Sequence, residues 1–363
     1  MKWHWQRREW LRNAGVSVGI ASSGQLLRGS DEKPLAKSQE VEPGIAFFFV
    51  SDTHYLARQD QPDQIDSKSA EICGRLVDTL NSLPGSSLPD SLGGGKVAEV
   101  RGVIHGGDII DSGDKRGKNF EAMQETEWRH FDEDFGLTGK EGRLKYPVFE
   151  VHGNHDSPDG KGLAIDRLRE RVSKREGVHR SDSGLHYSWD WGDLHCIHLG
   201  IVVGRPEHQG QRRRYHPFDS LAFLQEDLQR HDPNKDRPLL LTHHIDLPRY
   251  SQPCQLDAEK NLQMEWHPCD VQEYHQSLQG RRVAGILYGH THVRQVMRWD
   301  GTPKPATSGH PLLNADNASH FSGPKQGFFY LEWKLGKLLV RECLTDDGWA
   351  SYRWNDESWE LDS

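Results

Sequence analysis

The 363-residue sequence lacks several features that would define common protein classes. It has no run of about 18 consecutive apolar residues, which excludes a conventional membrane-spanning helix. Its five cysteines include no Cys-x-x-Cys pair and are too few for a disulfide scaffold. Acidic residues (54) outnumber basic residues (45), giving a net charge of −9, which argues against a protein built to hold a nucleic-acid backbone.

The positions of the cysteines suggest two different roles. Cys196 and Cys343 lie within apolar segments with strand character, so we expect them to be core residues. Cys254 and Cys269 flank one polar segment, and an exported protein could join them in a loop-closing disulfide. The sequence leaves that pairing open.

The first 40 residues have the character of a targeting segment. Arg7 and Arg8 form a pair that precedes a bulky residue and a weakly apolar stretch from Ala14 to Leu27. This arrangement resembles a twin-arginine signal peptide and therefore predicts export to the periplasm or the outside by the twin-arginine machinery. A basic amphipathic first helix is the alternative. We predict a signal peptide and linker over residues 1–40, with no identifiable cleavage site.

The rest of the chain alternates buried strands with helices. The apolar run at 44–50 predicts a strand covered on both faces. Further strands are predicted at 100–104, 147–151, 238–241 and 284–288, a hairpin at 327–343, and helices at 67–83, 118–134 and 217–231. This order predicts an α/β domain.

Each of the five predicted buried strands is followed by side chains that bind metals. These side chains are Asp52 and His54, Asp108, Asn154, His243, and His290 with His292. Singly, each could be an ordinary turn or surface residue. The carboxyl ends of strands in an α/β sheet gather ligand sites, however, so five such ends in one chain predict a single metal centre.

Taken together, these blocks resemble the calcineurin-like metallophosphoesterases. The matching blocks include Gly107-Asp108, Gly153-Asn154-His155-Asp156 and Gly289-His290, and the resemblance runs from about residue 45 to 345. It implies a four-layer αββα sandwich, in which two mixed β-sheets are flanked by helices. We expect this domain to span residues 41–345, with residues 346–363 as a C-terminal extension packed on it.

The resemblance also implies a role for each ligand residue. One metal ion would be held by Asp52, His54 and His292, a second by Asn154, His243 and His290, and Asp108 would bridge the two. His244 is the alternative to His243, since both follow the same strand. Imidazole, carboxylate and amide donors suit manganese, iron or zinc, and the sequence does not choose among them.

Two further residues receive catalytic roles. His155 would be the imidazole that binds no metal, placed to hydrogen-bond a phosphoryl oxygen or to protonate the leaving alkoxide. Asp111 would orient His155 and favour its charged form. In the purple acid phosphatases, a branch of the same superfamily, the position of Asp111 is a metal-binding tyrosine, so we expect no coloured tyrosinate–iron site here.

The function implied by the resemblance is a binuclear metal-dependent phosphoesterase. It would hydrolyse a phosphomonoester or a phosphodiester by in-line attack of a metal-bridging hydroxide. A catalytically degenerate, metal-bound interaction scaffold and a nuclease of the same superfamily are the alternatives. The acidic balance of the chain disfavours the nuclease, so we expect a phosphate-ester substrate and no nucleic-acid partner. The sequence does not indicate an oligomeric state.

Overall fold

The computed structural model of the protein describes residues 44–206, 215–255, 265–320 and 325–363. The predicted twin-arginine signal with Arg7 and Arg8 lies outside these residues, so export stays a prediction. Within the described ranges, no helix combines the length and the apolar composition needed to cross a bilayer.

The described residues form thirteen strands and five α-helices. The strands are β1 (Ile45–Val50), β2 (Val103–His105), β3 (Val148–Glu150), β4 (His179–Arg180), β5 (Tyr187–Trp191), β6 (Leu194–His198), β7 (Leu239–Thr242), β8 (Val283–Tyr288), β9 (Gln295–Trp299), β10 (His310–Asn314), β11 (Gln326–Lys334), β12 (Lys337–Thr345) and β13 (Arg353–Asp362). The helices are α1 (Ser67–Ser82), α2 (Lys118–Phe135), α3 (Leu163–Ser173), α4 (Ser220–His231) and α5 (Pro268–Leu278).

The strands assemble into two mixed sheets. The first has the order β13-β12-β11-β1-β2-β3, with β1, β2 and β3 parallel to one another. The second has the order β4-β5-β6-β7-β8-β10-β9, with a parallel centre from β6 to β10. The parallel strands of each sheet therefore bring several carboxyl ends to one edge.

The side chains of β1 show how the layers pack. Phe48 and Val50 belong to a core that includes residues of α1 and α2. Phe47 and Phe49 alternate with them and join a core shared with the second sheet. A third core covers the outer face of the second sheet with α4 and α5. This arrangement of two mixed sheets flanked by helices confirms the predicted αββα fold class.

Two features of the fold bear on the sequence predictions. Residues 353–362, expected to be part of an extension on the domain, form the outermost strand of the first sheet and pair with β12. Cys254 and Cys269 form a disulfide, which settles the pairing that the sequence left open. Cys196 and Cys343 are free and buried, as predicted.

A buried ion cluster at the end of β3 predicts acid sensitivity. The Glu150 carboxylate accepts hydrogen bonds from Arg171 Nε at 2.8 Å and Arg175 Nη2 at 2.5 Å. Burial by itself raises the pKa of Glu150, but the two guanidinium groups outweigh burial and lower the pKa to about 2. The folded pKa therefore lies below the unfolded value of 4.5, and the stabilisation exists above pH 4.5 and is lost as the pH falls toward 2.

We expect roughly 3 kcal/mol of unfolding free energy from this group to disappear across that pH window. Urea unfolding at a series of pH values measures the loss. Glu150→Gln should be less stable at pH 7 because it leaves the buried Arg175 without a charge partner and leaves Arg171 with Asp132 alone. Its stability should change less between pH 4.5 and 2. A variant with the wild-type stability and pH profile would contradict this account.

Candidate metal centre

The predicted metal-binding residues follow strands whose carboxyl ends meet at one edge of the two sheets. Asp52 and His54 come after β1, Asp108 after β2 and Asn154 after β3, all in the first sheet. His244 and His290 follow the adjacent strands β7 and β8 of the second sheet.

The His244 side chain connects the two sheets. Its Nδ1 lies 2.8 Å from the carbonyl oxygen of Gly106, which follows β2 in the first sheet. This contact brings the loop after β7 against the loops that carry Asp108 and Asn154.

The backbone at these positions is held in an uncommon conformation. Five of the candidate residues have left-handed φ angles: Asp52 (57°), His54 (46°), Asp108 (52°), His290 (71°) and His292 (51°). Such angles are rare for residues other than glycine and cost about 1 kcal/mol or more each. Backbone strain concentrated in one cluster of polar side chains indicates a functional site, where the fold holds the side chains in place before a ligand binds.

Glycines in the motifs leave room for the carboxylates. A Cβ atom on Gly153 would overlap the Asp108 side chain, and one on Gly289 would overlap Asp52 and Ser51. The lack of space for a Cβ atom therefore explains why glycine precedes both Asn154 and His290.

One group of donors consists of Asp52, His54, Asp108 and His292, each offering an atom within 4.8 Å of the others. His54 Nε2 lies 3.2 Å from His292 Nε2 and 3.6 Å from Asp108 Oδ2. His292 Nε2 lies 3.2 Å from Asp52 Oδ1. Two imidazole nitrogens and two carboxylate oxygens therefore face one small volume.

The second group of donors contains Asp108, His244 and His290. His244 Nε2 lies 3.2 Å from both Asp108 Oδ2 and Asn154 Oδ1. His290 Nδ1 lies 2.7 Å from Asn154 Oδ1, which adds the amide to this group. Asp108 Oδ2 thus faces both donor groups.

His243, predicted as a ligand, points away from the donors, and its neighbour His244 takes the predicted place. The His243 ring packs against Trp266 and Tyr274, with ring centroids 5.0 and 5.6 Å away. Side chains along β7 alternate between the two faces, so consecutive residues point in opposite directions. The expectation is therefore corrected to His244, which was the alternative.

The donor atoms fit divalent metal ions. Metal–ligand bonds of about 2.1 Å place neighbouring donors about 3.0 to 3.4 Å apart in tetrahedral or octahedral geometry. Several of the separations in the structure, such as 3.2 Å between His244 Nε2 and Asp108 Oδ2, fall in that range. Nitrogen and oxygen donors without sulfur suit zinc, manganese or iron.

The charges in the cluster compensate one another. Burial raises the pKa of Asp108, but neighbouring His244 outweighs burial and holds that pKa well below its usual value. Burial conversely lowers the pKa of His244, but Asp108 outweighs it and raises the pKa to about 9. Asp108 therefore stays ionised, and a metal ion that binds His244 must displace a proton.

The structure places His155 beside the donors and outside both groups. Its ring centroid lies 4.7 Å from that of His54, and its side chain is one-third exposed. His155 Nδ1 lies 3.1 Å from the Asp111 carbonyl oxygen and 3.8 Å from the Asp111 carboxylate. Asp111 does contact His155, but the nearer contact is through the backbone.

The Asp111 carboxylate has other, closer neighbours. Its Oδ1 lies 3.3 Å from His54 Nδ1, and its Oδ2 accepts a hydrogen bond from Lys115 at 2.8 Å. Burial raises the pKa of Asp111, but His54 and Lys115 outweigh it and lower that pKa. The carboxylate therefore holds the His54 ring on the side away from the donors.

Two residues near the donors were missed in the sequence. His320 lies with its ring centroid 4.5 Å from His54 and 4.8 Å from His292, after a strand that shows no ligand motif. Glu265 lies 3.6 Å from His290 Nε2 and accepts a hydrogen bond from Tyr215 at 3.0 Å. Both lie in irregular segments, where no periodicity indicates a position.

The fold and the paired donor groups define a class: an αββα protein with a candidate dinuclear metal site at the carboxyl ends of its strands. The sequence profile described as calcineurin-like phosphoesterase matches residues 45–294, and the chain belongs to that family.

Two individual proteins illustrate the similarity. Purple acid phosphatase 23 of Arabidopsis thaliana is 27% identical over 154 residues, which cover 42% of this chain and 30% of that protein. This chain thus matches less than a third of the length of that curated protein. A crystal structure of a dimetal phosphatase from Danio rerio superimposes with a TM-score of 0.53 at 13% identity, covering 88% of this chain and 99% of that one, which shows a shared fold.

Proposed function

We propose that the protein is a binuclear metal-dependent phosphoesterase that hydrolyses a phosphomonoester or a phosphodiester. The observation that carries this proposal is the position of Asp108 Oδ2, which faces two separate groups of nitrogen and oxygen donors. A shared carboxylate is what two closely spaced cations need, because it offsets their mutual repulsion. The family and the phosphatases similar to this chain support the same reaction class.

The ligands of each metal ion follow from the two groups. We assign Asp52, His54 and His292 to one ion, Asn154, His244 and His290 to the other, and Asp108 to both. A bound pair of ions would supply a water molecule of lowered pKa as the nucleophile and would offset charge on the phosphoryl oxygens. The donor set includes neither tyrosine nor cysteine.

The protein's own side chains supply orientation and a proton. The Asp111 carboxylate contacts Nδ1 of His54, and the Gly106 carbonyl oxygen contacts Nδ1 of His244. Each ring is therefore held with its Nε2 toward the donors. His155 binds Asp111 through Nδ1, which leaves Nε2 to hydrogen-bond a phosphoryl oxygen or to give a proton to the leaving alkoxide.

Replacing His155 by alanine should slow turnover by about 100-fold or more and leave metal content unchanged, because the ring belongs to neither donor group. Nitrophenyl phosphate hydrolysis and elemental analysis of the same sample measure both quantities. The loss of turnover should be smaller for substrates whose leaving group needs no proton. Loss of metal together with activity would instead make His155 part of the metal site.

Metal removal tests the proposal as a whole. The chelator-treated protein should lose hydrolysis of both nitrophenyl phosphate and bis-nitrophenyl phosphate, and adding manganese, iron or zinc should restore it. The ratio of the two activities would establish the preference for monoesters or diesters. Full activity in metal-free protein, or none with any of the three metals, would refute the proposed function.

A further inference from the structure

A second set of metal-type donors lies away from the candidate metal centre. His179 of β4 and two residues of α4, Asp227 and His231, each offer a donor atom within 4.8 Å of the others. The neighbouring His195 lies near the start of β6, whereas the candidate metal centre lies beyond the carboxyl ends of the parallel strands. The set therefore belongs to the opposite end of the second sheet.

The donor atoms of this set meet the same limit of 4.8 Å as those of the candidate metal centre. His179 Nδ1 lies 2.8 Å from Asp227 Oδ1, and His231 Nε2 lies 3.8 Å from the same oxygen. Asp227 and His231 are four residues apart on α4, so both side chains lie on one face of the helix. His231 Nε2 is buried from solvent and has no hydrogen-bond partner among the described residues.

Hydrogen bonds to neighbouring side chains fix the position of the Asp227 carboxylate. Asp227 is fully buried, and its Oδ2 lies 2.7 Å from His195 Nε2. His195 Nδ1 in turn lies 2.6 Å from Asp190 Oδ1, so the ring is fixed between two carboxylates. Ser188 also donates a hydrogen bond to Asp227 Oδ1 at 2.5 Å. Such support behind a ligand is typical of metal sites in proteins.

The protonation states also suit a ligand role. Burial raises the pKa of Asp227, but His195 outweighs burial and lowers it, so the carboxylate is ionised. Burial lowers the pKa of His231, so its ring is neutral at pH 7. Metal ions bind the ionised carboxylate and the neutral imidazole.

We propose that His179, Asp227 and His231 form a binding site for a zinc-like divalent cation, separate from the candidate metal centre. Two imidazoles and one carboxylate form a donor set that suits zinc, with a fourth position left for water. A bound ion would connect the edge strand β4 to the last turn of α4. The site stands independently of the proposed phosphoesterase function.

The zinc content of matched variants tests the site. The full-length protein, His231→Ala and Asp108→Asn are dialysed against zinc chloride, and bound zinc is measured by mass spectrometry. We expect His231→Ala to hold about one zinc ion fewer than the wild type while its manganese-supported hydrolysis stays unchanged. Asp108→Asn should lose zinc at the other centre only, which separates the two sites.

A control and a second readout complete the test. His130→Ala removes another half-buried helix histidine, one that pairs with Glu133 at 3.3 Å, and should leave zinc content unchanged. Zinc should raise the Tm of Asp108→Asn, and adding His231→Ala should abolish that rise. Should His231→Ala fail to fold, His179→Gln replaces it in both experiments. Wild-type zinc content or an undiminished Tm rise in the folded variant would overturn the proposal.

Discussion

Replacing Asp108 by asparagine should reduce hydrolysis of nitrophenyl phosphate by well over 100-fold. Substitutions that only disturb the orientation of metal ligands cost about 10- to 100-fold, and Asp108 Oδ2 faces both donor groups directly. Asparagine keeps the size of the side chain but removes the negative charge that would lie between two cations. The amide could still accept the hydrogen bond that the His155 backbone donates to Asp108 Oδ1 at 2.7 Å.

Metal content distinguishes the proposed cause from a general loss of structure. Asp108→Asn should keep its circular dichroism spectrum and hold less metal than the wild type. The matched control is Asp159→Asn, which removes an exposed carboxylate paired with Arg116 and should retain both activity and metal. Near-normal turnover in Asp108→Asn would rule out a bridging role for this carboxylate.

Replacing His244 by alanine should also remove most of the activity, whereas changing its neighbour His243 should not. Both side chains are fully buried. Only His244 faces Asp108 and Asn154, each at 3.2 Å. We expect His244→Ala to lower turnover by more than about 100-fold and to lower metal content, because it deletes a proposed ligand rather than a residue that positions one.

His243→Phe is the matched substitution at the adjacent position. It keeps an aromatic ring against Trp266 and Tyr274, so activity and metal content should stay within a few-fold of the wild type. The pair of variants is assayed with the same substrate and metal. A severe loss in His243→Phe with a mild one in His244→Ala would reverse the assignment made here.

The difference between these two histidines shows what the sequence could and could not predict. The apolar runs predicted where β1 and β7 lie, and the side chains after them were predicted to be metal ligands. Along β7, Leu239 and Leu241 face the core with α4 and α5, whereas Leu240 faces the core between the sheets. Residues two apart along a strand point to the same face, so His244 lies on the same face as Leu240, which is the face between the two sheets. Strand geometry predicts the alternation, but the uniformly apolar sequence of β7 does not show which face is inner.

Helices α3 and α5 were missed for local reasons. α3 begins after Gly162, which has no side chain to cap the helix, and many of its exposed residues are charged. α5 follows a polar segment, although Pro268 in its first turn and the His267 side chain as its cap were available signals. The supporting contacts of the site, from Glu265 and His320, arise from tertiary packing and have no local sequence pattern.

Anomalous diffraction from crystals of the manganese-loaded protein tests the central claim most directly. The account predicts two metal peaks roughly 3.5 to 4 Å apart, with Asp108 between them and His244 bound to one. Single-wavelength data above the manganese edge would also show whether His243 stays against Trp266. One isolated peak, or none near Asp108 after manganese, iron and zinc have each been supplied, would contradict the account.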